Sequence, residues 1–148
     1  MMKILVDADG CPVVNSTIAC AKQAGVKVLL ICDTAHEFRR EGAETITVSK
    51  GADSADFRLV NLIGAGDIVV TQDYGLAAMA LAKQARVLNQ NGMRYTDENI
   101  GALLLARHTA RKIRRGGGRL KGPAKRTKED DEAFLEALTA LLKDAQSA

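Results

Sequence analysis

The sequence predicts an α/β domain of three layers, α/β/α, with a mainly parallel central sheet and an added C-terminal helix. Three observations lead there. Short runs rich in Val, Ile and Leu alternate with helix-period segments from residue 3 to residue 88, the signature of repeated βα units. The run Val26 to Cys32 is almost continuously apolar, as a strand covered on both faces must be. The length, 148 residues, suits one domain with a real core better than two.

The elements follow in order. Lys3 to Val6 predicts the first strand, and Pro12 to Ala24 a helix closed by Gly25. Val26 to Cys32 is the second strand and Glu44 to Val48, alternating and β-branched, the third. Asp53 to Ile63 predicts a helix with Asp53 as N-cap and Asp56 three positions on. Asp67 to Val70 is a buried strand, Gly75 to Lys83 an Ala-rich helix, and Arg86 to Leu88 a short final strand. Thr96 caps a helix from about Asp97 to Ile113. Thr127 caps a last amphipathic helix, with Phe134, Leu135, Leu138, Leu141 and Leu142 on its apolar side. The whole chain, 1–148, is expected to be one domain, with 107–128 a basic connector and 129–144 the terminal helix.

Composition excludes several classes. No apolar run approaches the roughly 20 residues that cross a bilayer. The N-terminus shows no basic segment followed by an apolar stretch and a cleavage site, so no secretory signal is expected. Three cysteines, Cys11, Cys20 and Cys32, lack metal-type spacing and fit reduced thiols, so a cytoplasmic protein without a membrane partner is expected. The net charge of +3 hides an asymmetry. Residues 1–106 carry a net −2, residues 107–128 a net +10 with no acid among them, and residues 129–148 a net −5. Such a basic block is a plausible phosphate-backbone footprint. It carries no aromatic residue on which bases could stack.

The acids carry the chemistry. In parallel sheets ligands bind beyond the carboxyl ends of the strands. Asp7 and Asp9 follow the first strand, Asp33 the second, Asp53 and Asp56 open the helix after the third, and Asp73 follows the fourth. All are expected at one sheet edge, with Asp67 at the other. Like charges about 4 Å apart repel by roughly 1–4 kcal/mol per pair at effective dielectrics of 80 to 20. No Lys or Arg stands inside these motifs, and a divalent cation would neutralise them. Hard cations such as Mg²⁺ take oxygen ligands, with phosphate and water completing the shell. Asp53 and Asp73 also read as simple helix caps, and Asp33 as a turn residue. Thr71 and Asn89, near strand ends, could hold a water or phosphate, or merely bond the backbone.

Several of these stretches resemble one family. Val6-Asp7-Ala8-Asp9-Gly10-Cys11-Pro12-Val13, Gly51-Ala52-Asp53-Ser54-Ala55-Asp56 and Thr71-Gln72-Asp73-Tyr74-Gly75-Leu76-Ala77 resemble motifs of the YaiI/YqxD family of bacterial proteins. Arg114-Arg115-Gly116-Gly117 and the run Lys121 to Asp130 are similar to its tail. The resemblance implies a PIN-like domain, an α/β fold whose acids bind Mg²⁺ or Mn²⁺ and cut RNA. It makes Asp7, Asp9 and Asp73 the expected catalytic residues and Asp7, Asp9, Asp53, Asp56 and Asp73 the expected metal ligands. Thr71 and Asn89 would support them. Arg111, Lys112, Arg114, Arg115, Arg119, Lys121, Lys125, Arg126 and Lys128 would bind nucleic acid, expected to be RNA. A metal-dependent ribonuclease or other phosphodiesterase is thus the leading expectation. A nonenzymatic RNA-binding protein is the alternative. A phosphatase of the haloacid-dehalogenase type, whose nucleophile motif is also Asp-x-Asp, ranks third, because it needs a later Lys and a paired-Asp motif following a strand, no convincing pair follows Asp73, and 148 residues leave no cap domain.

Overall fold

Strand β1, Lys3–Asp7, shows how the sheet is built, because its three central residues, Ile4, Leu5 and Val6, expose no surface. A strand can hide residues of both parities only when both faces are covered. Ile4 and Val6 face one apolar cluster and Leu5 the other. A computed structural model of the chain describes residues 2–33, 39–48, 54–118 and 125–147.

Five further strands join β1: β2 (Lys27–Asp33), β3 (Glu44–Val48), β4 (Ile68–Val70), β5 (Arg86–Leu88) and β6 (Arg94–Tyr95). Their order is β3-β2-β1-β4-β5-β6. The first five strands run parallel, and β6 pairs antiparallel with β5. Five helices complete the chain: α1 (Val14–Ala24), α2 (Ser54–Leu62), α3 (Tyr74–Ala82), α4 (Ile100–Arg115) and α5 (Lys128–Ser147). One layer holds α1 and α5, whose Val14, Ile18, Ala21, Phe134, Leu138, Leu141 and Leu142 pack on Ile4, Val6, Val28 and Leu30. The other holds Leu59 of α2, Leu76, Ala77 and Ala80 of α3, and the partly buried Ile100 and Leu103 of α4. The three-layer α/β/α sandwich with a mainly parallel sheet is the predicted fold class.

Most element boundaries agree with the sequence, β3 and β5 to the residue. Gly25 closes α1 in the left-handed region at φ 71. Thr127 and Asp130 cap α5 reciprocally, each side chain accepting the other's backbone N–H at 3.3 and 2.9 Å. Four differences stand out. The strand at Arg86–Leu88 is not the last, since β6 folds back beside it. Helix α1 starts at Val14, after a turn through Pro12. Helix α4 starts at Ile100, because Thr96 and Asn99 bond one another across the preceding turn. Leu135, expected on the apolar side of α5, is exposed. The predicted N-cap Asp53 lies outside the described residues.

At the amino edge of the sheet, Asp67 is 2% exposed and fully engaged. Its Oδ1 accepts the Lys3 backbone N–H at 3.1 Å, and its Oδ2 accepts Lys3 Nζ at 2.6 Å and the Gly64 N–H at 2.7 Å. This acid is a structural tie at the edge opposite the carboxyl ends of the strands, as its place before the strand implied.

The β5–β6 turn touches α5 at Gly92, where φ is +84 and a Cβ would lie 2.5 Å from the Ala133 carbonyl oxygen. Gly92→Ala therefore combines left-handed strain with a clash against helix backbone, and is expected to destabilise the fold by at least about 2 kcal/mol in urea unfolding. Gly101→Ala, in an exposed turn of α4 with nothing within 4 Å of the new Cβ, is expected to stabilise it by about 0.5–1 kcal/mol.

Candidate functional site

The sheet order sets the site. Strand β1 passes β2 on one side and β4 on the other, so the loops leaving β1 and β4 part in opposite directions and open a crevice. Asp7 ends β1, and Thr71 follows β4. The register pairs Val6 with Val70, which puts the two next residues side by side. The Thr71 hydroxyl donates to Asp7 Oδ2 at 2.9 Å and accepts the Asp73 backbone N–H at 3.0 Å. One side chain thus couples the two strand ends. A second bridge runs from Gln72 Nε2, which donates to the Gly10 carbonyl at 3.1 Å.

Asp73 is the N-cap of α3. Its Oδ1 accepts from Gly75 N at 2.8 Å and Leu76 N at 3.1 Å, the helix-cap role that its sequence position allowed. Arg107 of α4 also reaches Oδ1, at 3.4 Å. All three contacts fall on one carboxylate oxygen, and none engages Oδ2 among the described residues. Asp9 turns to the other side, its Oδ2 accepting the Asp33 backbone N–H at 3.1 Å. It thereby pins the β1–α1 loop to the end of β2. Asp7, Asp9 and Asp73 are each half-buried.

The expected residues therefore divide. Asp7, Thr71 and Asp73 come together. Asp9 sits on the same loop but is tied toward β2. Asp53 lies outside the described residues, as does the side chain of Asp56 on α2. Asn89 is used locally: its Oδ1 accepts the N–H groups of Asn91 and Met93 and so shapes the β5–β6 turn. Among the described residues, no three His, Cys, Asp or Glu side chains form a group able to enclose a metal ion.

Three contributors escaped the sequence. Gln72 lay in plain view, within the Thr71-Gln72-Asp73 motif. Arg107 was visible only as part of a charge run, and its partner stands 34 positions away. Tyr95 belongs to the unpredicted β6. It is 1% exposed, and its hydroxyl donates to the Thr71 carbonyl at 3.2 Å. Its ring meets Tyr74 edge to face with centroids 5.9 Å apart. These are the only two tyrosines of the chain, which was the one signal available. Burial pushes the Tyr95 phenol above its ordinary pKa, and the neighbouring Tyr74 and Asp73 charges add to the rise. Burial likewise raises the Cys11 thiol, with a bond to Val13 opposing, Asp7 reinforcing and Arg126 opposing. Cys11 is thus held as a neutral thiol beside the site.

The basic segment also divides. Arg111, Lys112, Arg114 and Arg115 are exposed on the last turns of α4, and Lys125 and Lys128 are exposed near α5. Arg126 is engaged internally: its guanidinium donates to Asp131 Oδ1 at 2.8 Å, Asn91 Oδ1 at 2.7 Å and the Gln90 carbonyl at 2.8 Å. It anchors the start of α5 to the β5–β6 turn. Arg119 and Lys121 lie outside the described residues.

Comparison with known proteins fits the resemblance drawn from the motifs. Residues 5–144 match the model of the family described as "Uncharacterized BCR, YaiI/YqxD family". The chain belongs to this family. The UPF0178 protein of Exiguobacterium sibiricum is 55% identical over 141 residues, covering 95% of this chain and 96% of the relative. That of Ruminiclostridium cellulolyticum is 54% identical, covering 96% and 93%, and that of Natranaerobius thermophilus 46%, covering 99% and 100%. No solved structure matches the chain. No helix among the described residues is long and apolar enough to cross a membrane.

Tyr95→Phe removes the hydrogen bond that holds Thr71 in place. Urea unfolding is expected to show a loss of about 1 kcal/mol. Tyr74→Phe, whose hydroxyl makes no hydrogen bond among the described residues, is expected to shift stability by less than about 0.5 kcal/mol.

Proposed function

We propose that the crevice between β1 and β4 is a metal-dependent phosphodiesterase site that hydrolyses RNA, as in a PIN-like domain. One observation carries this: the Thr71 hydroxyl ties the Asp7 carboxylate to the Asp73 backbone N–H at the point where the sheet reverses its winding. The donors are all oxygens, which favours a hard cation over a thiolate-bound one. Two carboxylates are too few to cage a structural ion. They suffice for Mg²⁺ or Mn²⁺, which commonly keep several waters and bind through one or two carboxylates plus substrate phosphate.

Asp7 and Asp73 are the residues that would hold the ion, with Asp53 and Asp56 the remaining candidates and Asp9 fixing the loop between them. The bound cation supplies an activated water and charge stabilisation on the leaving oxygen. Thr71 orients the Asp7 carboxylate through its hydroxyl, and Tyr95 holds Thr71 by its carbonyl. Asp73 is kept at the mouth of α3 by two backbone N–H groups. Arg111, Lys112, Arg114 and Arg115 extend a positive surface away from the site along α4, suited to a phosphate backbone.

A second reading has its own support. Oδ1 of Asp73 is already occupied by a helix cap and an arginine, which is what a disused metal site would retain. The chain would then be an RNA-binding protein without catalysis.

Cleavage of a single-stranded oligoribonucleotide with Mn²⁺ separates the two. Asp7→Asn is expected to lower the rate by more than the roughly 10–100-fold typical of losing a ligand's hydrogen-bond partner, while RNA affinity persists. Replacing Arg111, Arg114 and Arg115 by Gln is expected to lower the slope of log affinity against log salt by about 2. Absence of cleavage of RNA or DNA, together with metal binding indifferent to Asp7, would sink the enzymatic reading. Salt-sensitive RNA binding surviving in that case would favour the second.

A further inference from the structure

Arg107 stands between the two halves of the candidate site, the carboxylates and the basic helix. Its Nη1 lies 3.4 Å from Asp73 Oδ1, and both side chains are about one-third exposed, at 33% and 35%. That is a long, solvent-screened contact of the kind that contributes little to stability. The oxygen it meets is already satisfied by two shorter backbone hydrogen bonds, at 2.8 and 3.1 Å. Arg107 is therefore not needed to hold Asp73 in place. What it supplies is positive charge beside the carboxylate of a residue whose backbone N–H shares the Thr71 hydroxyl with Asp7. Gly75 lies against this pair: a Cβ there would press on Asp73 Oδ1 at 3.2 Å and make an ordinary contact with Arg107 Nη1 at 3.6 Å.

Helix periodicity gives Arg107 a second set of neighbours. Positions 107, 111, 114 and 115 recur at spacings of four and three, so they share one stripe of α4. The stripe begins at Asp73 and ends in the exposed arginines of the last turn. A polyanion lying along it has its next positive contact at Arg107, beside the carboxylates.

We infer that Arg107 is an exchangeable counter-ion that couples cation binding to phosphate binding. With no divalent cation present, Arg107 neutralises Asp73. A cation at the same carboxylate repels the guanidinium, so in the absence of an anion Arg107 weakens cation binding. Once a phosphodiester occupies the stripe, Arg107 turns from Asp73 to a phosphate oxygen, and the opposition is lifted. Cation and polyanion then bind with positive coupling, and each strengthens the other by the same factor. The consequence is specificity: a bare cation is held weakly, and the metal-loaded site assembles on nucleic acid. This rests on the metal reading above, with Arg107 as a positioning residue and not a metal ligand.

Calorimetric titration of Mn²⁺ into the full chain tests this without any turnover. The titration is run with the protein alone and with a saturating oligonucleotide whose linkages are methylenephosphonates, which keep the negative charge but replace the leaving oxygen by carbon. For the wild type, the oligonucleotide is expected to raise Mn²⁺ affinity about fivefold or more, the lower range of known couplings. Arg107→Gln is expected to bind Mn²⁺ alone several-fold more tightly than the wild type and to show little further gain with the oligonucleotide. Arg107→Lys, which keeps the charge, is expected to follow the wild type in Mn²⁺ alone. Thermal melting confirms that each variant is folded, as the exposure of Arg107 leads one to expect. Mn²⁺ binding that is lost in Asp73→Asn but unchanged in Arg107→Gln, with coupling intact, overturns the role of Arg107 and leaves the metal site standing. Mn²⁺ binding that is absent from the wild type, or indifferent to Asp73→Asn, overturns both. Asn at position 73 still caps a helix, so that variant tests the ligand and not the fold.

Discussion

The parallel pairing of β1 with both β2 and β4 is the constraint on which the rest of the structure depends. Because β1 is central, its residues are buried on both faces and its register is fixed by two partners at once. The pairing of Val6 with Val70 then leaves no freedom in where Asp7 and Thr71 meet. A slip of one residue would turn Ile4 and Val6 from the α1/α5 layer to the α2/α3 layer and break both apolar clusters. Such a slip would also separate Asp7 from the Thr71 hydroxyl. Packing energy spread over the sheet thus positions a single polar contact at its edge.

Around that contact, the acids are managed one at a time. Asp7 is bonded by Thr71, Asp9 by the end of β2, and Asp73 by the first turn of α3 and by Arg107. A common cation is therefore not required to keep the described carboxylates in place, although the sequence alone suggested it was. The local bonds also orient the groups, so that a cation bound there, as proposed above, would meet carboxylates already held by hydrogen bonds. Pre-organisation and self-neutralisation are the same set of hydrogen bonds. On the reading proposed above, whether the Arg107 contact yields would separate an active site from a relic of one.

Much of this was legible in the sequence, for physical reasons that differ by element. The doubly covered strands β1, β2 and β4 announced themselves by unbroken apolar runs. Helix α5 did so by its 3.6-residue apolar period and the Thr127 cap. Strand β6 was missed because two residues carry no periodicity, and its burial comes from one aromatic ring. The start of α4 shifted because Thr96 bonds Asn99 across a turn, instead of capping the helix directly. At the site, strand-end position located Asp7, Thr71 and Asp73 together. The tie of Asp9 to Asp33, the use of Asn89 in a turn and the bonding of Arg126 to Asp131, Asn91 and Gln90 depend on loop geometry. No pattern in one chain encodes that. Arg107 was hidden in a run of like charges, where its helical phase, not its sign, distinguishes it.

The most direct measurement is the anomalous scattering map of crystals soaked in Mn²⁺. A metal peak bonded to a carboxylate oxygen of both Asp7 and Asp73, at about the 2 Å typical of small hard cations, is the predicted result. Clear density for the two carboxylates with no peak between them, or with Mn²⁺ bound only elsewhere on the surface, would contradict the account.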